Sequence, residues 1–259
     1  MFEGTYSAIN AHYSERRDAL RHDPDCYSIL TQGYIVHDDW YPPTIIAEMR
    51  DNVPDLARLA PTLQTPAIHI SDPSLSLAPF DPFFRDERIW RIAKAIVGPE
   101  CTAVRRWAQI RVGKGHTGSF DEFFHIDSFK HRLKAFLYLT DVDAEGSVVI
   151  CPGMSQGAWH HRLASQLAAV EGDSSAQWES ESESYEAISA SRVNHFAGTL
   201  TPFDSQVLLE ACDVKPVPLS GRAGTLVIFD SRTLHKHEVA TSGSRVMLEA
   251  VFANGKDFG

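Results

Sequence analysis

From Cys101 onward the chain breaks into short segments rich in Val, Ile, Leu and aromatic residues, and no other feature constrains its fold as much. These segments are Thr102–Val112, Phe123–Asp127, Leu133–Leu139, Ser147–Ile150, Thr225–Phe229 and Arg245–Phe252. Gly, Pro, Asp or Ser turns separate most of them, as expected for successive strands. The series predicts an antiparallel sandwich or barrel behind an N-terminal helical layer.

The first hundred residues are organised differently. Gly33-Tyr34-Ile35-Val36 reads as a short strand, and His37 to Tyr41 turns into Pro42-Pro43-Thr44, a helix start. Ile45, Ile46, Met49 and Val53 recur at helical spacing, and Pro54 should end or kink that helix near Val53. Pro61 to Asp86 is rich in Pro, Ser and Asp and is expected to be a long loop. Glu87 to Ile96 reads as a helix stopped by Val97-Gly98-Pro99. No internal repeat or linker divides the chain, so residues 1–259 are expected to form a single domain. A polar stretch from Ser155 to about Pro218 includes the acidic, serine-rich run Glu171 to Glu186. It is either a solvated surface insertion or a lid over an active site.

Charge and composition narrow the partners. Hydrophobic residues make up 43% of the 259, enough for a sizeable core. A formal net charge of -10 speaks against nucleic acid and anionic membranes, which reward clustered Lys and Arg. No apolar run approaches the roughly 20 residues that span a bilayer, and Met1 to Asn10 does not resemble a secretory signal. Cys26, Cys101, Cys151 and Cys212 are scattered, without a Cys-x-x-Cys pair, as suits thiols in a reducing compartment. The expectation is a cytoplasmic protein acting on a small molecule.

The residues able to carry chemistry are His125 and Asp127, a downstream His, and Arg245. Residues two apart on a strand point the same way, so His125 and Asp127 would project together into a barrel. His235 follows the segment Thr225–Phe229 closely enough for a neighbouring strand to deliver it beside them, and His237 competes with it. Two imidazoles and one carboxylate on one face of a metal suit a non-haem Fe(II) oxygenase, the opposite face staying open. Arg245 opens a largely apolar strand. A buried Arg needs a partner, and its planar fork matches a carboxylate.

Other candidates are weaker. His37-Asp38-Asp39 repeats the His-x-Asp pattern, but at a strand-to-helix junction where Asp turns or caps the chain. Trp107, Gln109 and Arg111 share one strand face, which either lines the pocket or packs elsewhere. Gln109 is the one expected, beside Arg245, to contact a chelating co-substrate bound on the open face of the metal. His160-His161 are expected at the surface, and Asp121 and Glu122 are adjacent and so face opposite ways.

Three blocks together resemble the phytanoyl-CoA dioxygenase family of Fe(II)/2-oxoglutarate oxygenases. They are Gly33-Tyr34-Ile35-Val36-His37-Asp38-Asp39; Phe124-His125-Ile126-Asp127 with Leu137 to Asp143 and Val149-Ile150-Cys151-Pro152-Gly153; and Phe229 to His235 with Arg245 downstream. The resemblance implies a mainly β, double-stranded β-helix (jelly-roll) core with N-terminal helices packed outside. It implies Fe(II) held by His125, Asp127 and His235, and Arg245 on the far carboxylate of 2-oxoglutarate. It also implies O₂ as oxidant, with ascorbate as a supporting reductant. After Pro152-Gly153 the family usually continues Ser-His, where this chain has Met154-Ser155. Related halogenases replace the acidic ligand by a small residue, so Asp127 predicts hydroxylation or another oxidation without halogenation. The rival expectations are a metal-dependent hydrolase on the same barrel and a non-catalytic jelly-roll binding protein.

Overall fold

The computed structural model describes residues 2–53, 67–70, 78–112, 122–171, 198–238 and 244–254. Helices α1 (Phe2–Ala19), α2 (Pro24–Gln32), α3 (Pro43–Asn52), α4 (Asp81–Phe84) and α5 (Glu87–Val97) come from the N-terminal part. Strands β1 (Tyr34–His37) and β2 (Ala67–Ile70) are interleaved with them. Then follow β3 (Cys101–Val112), β4 (Arg132–Tyr138), β5 (Val148–Ile150), α6 (Ala158–Glu171), α7 (Pro202–Cys212), β6 (Val217–Pro218), β7 (Leu226–Asp230), β8 (His235–His237) and β9 (Ser244–Asn254).

The helix ends follow from local chemistry. Asp23 caps α2 by accepting the Cys26 N–H at 3.1 Å, with Pro24 in the first turn. That helix stops at Gly33, whose φ of 94° lies in the left-handed region. A Cβ at Gly33 would also fall 2.3 Å from Thr233 Oγ1, so the close approach itself requires glycine. Asp86 caps α5 in the same way, and Ile89, Ile92, Ala93 and Ile96 form its buried stripe.

The strands form a six-stranded sheet, β1-β7-β4-β9-β3-β2, and a three-stranded sheet, β6-β5-β8, with every pair antiparallel. This is the expected jelly-roll core with helices outside. Strand alternation separates the two faces of the large sheet. Leu133, Ala135, Leu137, Leu226, Ile228, Leu248, Ala250 and Phe252 pack outward on the helices. Phe136, Tyr138, Val227, Phe229 and Met247 point inward, where Val148 and Ile150 of the small sheet meet them. Among the described residues no helix is long and apolar enough to cross a membrane.

Three expectations need correction. The stretch Pro61 to Asp86 is not all loop: β2 pairs with β3 at the sheet edge, and α4 follows it. Four residues at an edge carry no periodic signal, because the partner strand supplies the order. Residues 54–66 and 71–77 lie outside the described residues. Phe123–Asp127 is not a ladder strand. It is an extended crossing segment in which His125 alone bridges, to Thr199 on one side and His235 on the other. Finally, 155–218 is built into the fold at both described ends. β6 joins β5, Leu200 N–H donates to Phe124 O at 2.8 Å, and α6 places Leu163 and Ala164 in a core cluster with Phe124 and Ile126. Most of the acidic run, 172–186, lies outside the described residues.

Candidate metal centre

The turn leaving β7 gathers the site. Asp230 Oδ1 accepts the Arg232 N–H at 3.0 Å, and Asp230 O accepts the Thr233 N–H at 2.9 Å. An Asp that bonds its own backbone two residues on makes a stable reversal, and the chain returns as β8. The neighbouring main chain of residues 123–127 then docks on it. Ser231 O accepts the Asp127 N–H at 3.0 Å, while His125 and His235 exchange N–H···O bonds of 2.8 and 3.0 Å. Main-chain hydrogen bonds therefore set the register between the segment that carries His125 and Asp127 and the one that carries His235.

Their side chains converge. Nε2 of His125 lies 3.5 Å from Asp127 Oδ1, and Nε2 of His235 lies 3.5 Å from Asp127 Oδ2. The ring centroids are 4.4 Å apart, and the three ligand atoms all fall within 4.8 Å of one another. Among the described residues this is the one such group. Ligands bonded to a divalent ion at about 2.0–2.2 Å sit roughly 3 Å apart when adjacent, and the two His–Asp separations exceed that by only about half an ångström.

The hydrogen bonds behind the two rings decide their chemistry. His125 Nδ1 lies 2.7 Å from Phe123 O, and His235 Nδ1 lies 2.8 Å from Thr233 O. A carbonyl oxygen only accepts, so each Nδ1 carries the proton and donates it. In the neutral ring that leaves the Nε2 lone pair aimed at the centre, as a metal ligand requires. Two such lone pairs facing a carboxylate at 3.5 Å repel it unless a cation lies between them. The residues present therefore fit a divalent metal.

Electrostatics act in the same direction. Burial opposes ionisation of Asp127, but the Lys134 ammonium holds the carboxyl well below the usual range. Lys134 Nζ sits 2.9 Å from Asp127 Oδ2. Burial, with His125 beside it, lowers His235, which favours the neutral ring.

Arg245 lies on the inward face of β9, two residues before Met247, and is 3% exposed. It donates to Gly146 O and approaches His237 Nδ1 at 3.4 Å. His237, the competitor for the third ligand position, is thus a neighbour of the guanidinium, with Phe136 against its ring at 6.3 Å. Gln109 pairs through its backbone with Met247, and Arg111 with Arg245. The side chains of Trp107, Gln109 and Arg111 lie outside the described residues, as does Asp121.

The first His-x-Asp copy goes elsewhere: His37 Nε2 meets Asp25 at 3.0 Å, and Asp38 accepts the Thr225 hydroxyl at 3.0 Å. His160 corrects an expectation. It is fully buried, its Nδ1 2.7 Å from the Tyr6 hydroxyl, because α1 covers α6 there. Burial lowers it to about 3. Sequence reasoning passed over Lys134, although a cation alternating with Phe136 and Tyr138 was a usable signal. Thr199 was also missed, and an isolated bridge leaves no pattern to find.

No family model matches the chain, and no curated protein does. Solved structures do match. The α-ketoglutarate-dependent carbocyclase SnoK from nogalamycin biosynthesis has a TM-score of 0.56 at 15% identity, covering 89% of this chain and 83% of its own. The epimerase SnoN from the same biosynthesis scores 0.53 at 16% identity, covering 92% and 83%. HygX from Streptomyces hygroscopicus, solved with nickel and 2-oxoglutarate bound, scores 0.53 at 13% identity, covering 90% and 87%. The chain thus has the fold of these non-haem, 2-oxoglutarate-dependent enzymes.

Proposed function

We propose that the chain is an Fe(II)- and 2-oxoglutarate-dependent oxygenase that oxidises a small natural-product intermediate. The observation that carries this reading is the pair of imidazoles locked by Phe123 O and Thr233 O, both lone pairs turned toward Asp127. When bound, iron with 2-oxoglutarate and O₂ supplies the oxidising power, the co-substrate ending as succinate and CO₂. His125, Asp127 and His235 are the ligands in this reading. Lys134 holds the Asp127 carboxylate in place through Oδ2. Arg245, at the inner end of the same face, takes the distal carboxylate of 2-oxoglutarate, its planar fork matching two oxygens. Gln109 is a second co-substrate contact on the adjacent strand. Phe136 and Phe229 line the inward wall and exclude water from the space between these charges.

The solved structures support the substrate class: SnoN was crystallised with Fe3+, α-ketoglutarate and a nogalamycin compound. They also widen the product search, since SnoN and SnoK are an epimerase and a carbocyclase. Hydroxylation is the outcome we assign, without halogenation because Asp127 is present. The sequence resemblance supports placement near the phytanoyl-CoA dioxygenases. A hydrolase would leave the buried Arg245 without a role, and a binding scaffold would have no need for locked tautomers.

The test is succinate formation by anaerobically purified protein given Fe(II), ascorbate, 2-oxoglutarate and O₂, beside Asp127→Ala. The visible charge-transfer absorption of the Fe(II)·2-oxoglutarate complex is followed in the same preparation. Both signals are expected in the wild type and absent from the variant. Neither signal, in folded and iron-loaded wild type, would sink the oxygenase reading. A one-oxygen gain in the product separates hydroxylation from isomerised or ring-closed products.

A further inference from the structure

Arg232 is the middle residue of the turn that gathers the metal centre, and it points away from that centre. Its side chain is fully buried. Nη2 donates to Asn10 Oδ1 on α1 at 2.6 Å, and the guanidinium lies 4.9 Å over the ring of Tyr13 on the same helix. Nε and Nη1 have no hydrogen-bond partner among the described residues. Burying a guanidinium on so few bonds costs stability, and an apolar side chain of equal volume often serves as well or better where packing alone matters. A charged, directional group in this position is better explained by what it holds.

What it holds is the turn. Its two neighbours are the residues that touch the ligands: Ser231 O takes the Asp127 N–H, and Thr233 O takes the His235 Nδ1–H. A rotation of the turn would move both carbonyls together, swinging the His235 lone pair and shifting Asp127. Main-chain bonds from Ser231 N–H to Arg132 O at 3.0 Å and from Leu234 N–H to Met154 O at 2.9 Å resist it, and so do contacts on two further sides. On one side Thr233 packs on Gly33, whose carbonyl accepts the Asp230 N–H at 2.8 Å. On the other, Arg232 reaches Asn10 and Tyr13. Tyr13 is itself fully buried, stacked on His131 at 5.3 Å and 11°.

We propose that Arg232 is a positioning residue for the metal centre, and that α1 fixes the geometry of Asp127 and His235 through its Asn10 and Tyr13 contacts with that residue. The inference rests on the metal reading above. It assigns a role to the N-terminal helix, which contributes no residue to the ligand set. Groups that hydrogen-bond directly to metal ligands typically change affinity by about 10–100-fold when removed. Arg232 acts one bond further out, so its effect should fall at or below the lower end of that range.

Co(II) serves as the probe, because its visible absorption reports both affinity and coordination geometry. The full-length chain is titrated as wild type, Asn10→Ala, Asn10→Asp, Arg232→Met and Arg16→Met, with the thermal midpoint of each metal-free protein recorded. Asn10→Ala should weaken cobalt binding about 5-fold and Arg232→Met about 10-fold, each with altered visible bands. Asn10→Asp keeps an acceptor for the guanidinium and should remain within about twofold of wild type. Arg16→Met removes the hydrogen bond from α1 to Ala95 O on α5, so it should lower the midpoint and leave cobalt affinity and bands unchanged. The inference is overturned if Asn10→Ala lowers only the midpoint, or if Arg16→Met weakens cobalt as much as Asn10→Ala does. It is also overturned if a folded Arg232→Met protein binds cobalt as wild type does. A folded wild type that binds no cobalt at all overturns the metal reading itself, a separate and recognisable result.

Discussion

The chain writes His-x-Asp twice, at His37-Asp38-Asp39 and at His125-Ile126-Asp127, and the fold treats the two copies oppositely. At the first, His37 pairs with Asp25, Asp38 accepts from Thr225, and Asp39 turns the chain with a φ of 53°. These contacts lie where a strand ends and a helix is about to start. At the second, the main chain on both sides is occupied by bridges to Thr199 and His235. His125 has its Nδ1 fixed by a carbonyl, and Asp127 is held by Lys134. The lesson is that the pattern of side chains does not make a metal centre. A neighbouring strand must bring a third ligand, and carbonyls must set the tautomers.

The largest effect that tests this contrast is loss of the metal. His125→Ala, Asp127→Ala and His235→Ala should each weaken divalent-metal binding by at least about 100-fold, beyond the range for groups that only support ligands. His37→Ala and Asp39→Ala should leave it within about twofold. Titration of the five proteins with Co(II) checks this. Comparable losses at the two copies would erase the distinction.

How far this was legible in the sequence depends on what each part is made of. The strand series and the convergence of His125, Asp127 and His235 were readable because side chains carry them: apolar alternation for β4, β7 and β9, and imidazoles and a carboxylate for the candidate centre. The locks on the two rings were not, since Phe123 and Thr233 contribute carbonyl oxygens that any residue has. β2 was hidden for a related reason, its order coming from β3. The reading of His160 failed because adjacency to His161 says how two side chains diverge, not which one another helix will cover. Arg232 lies within the Phe229 to His235 block, yet its side-chain contacts are with α1, far away in sequence.

A smaller effect belongs to the region beside the first copy, where charge serves stability. Trp40, whose ring lies 5.2 Å from His37, donates to Asp86 at 2.9 Å, and Tyr41 does so at 2.6 Å. Burial opposes ionisation of Asp86, but Arg88, Tyr41 and Trp40 overcome it and pull the carboxyl down to about 2. A depressed carboxyl stabilises the fold above its unfolded value near 3.8, and that contribution is lost as the pH falls through the folded value. Asp86→Asn should therefore cost about 1–2 kcal/mol at pH 7, allowing for the exposed Arg88, and the gap should narrow between about pH 4 and pH 2. Urea midpoints of both proteins across that range are the measurement. A gap that stays constant with pH would mean that Asp86 acts through its cap on α5 alone.

Lys134→Met sharpens the other side of the comparison. Without the ammonium, Asp127 keeps its two imidazoles but loses its cation, and the metal-free protein should become less stable by about 1 kcal/mol. Bound metal supplies a new positive charge, so the deficit should shrink in the Zn(II)-loaded protein. Thermal midpoints with and without Zn(II) decide the matter. An equal deficit in both states would place Lys134 in packing, against the ring of Phe229 at 5.9 Å, and outside the control of Asp127.

The smallest predicted effect is the most direct check on the first copy. The His37–Asp25 pair is 3.0 Å long, but its side chains are 36% and 25% exposed, and Arg91 also reaches Asp25 at 4.0 Å. Exposed pairs of this kind contribute at most about 1 kcal/mol, and often much less. His37→Ala should change stability at pH 7 by no more than about 0.5 kcal/mol, since Trp40 and the Asp25–Arg91 contact stay in place. Urea unfolding of the two proteins at pH 7 measures the difference. A cost above about 2 kcal/mol would mean that His37 does more than join a strand to its neighbour. The first copy would then be a structural node in its own right, and its contrast with the second would rest on the His235 strand and the carbonyl contacts of the two rings alone.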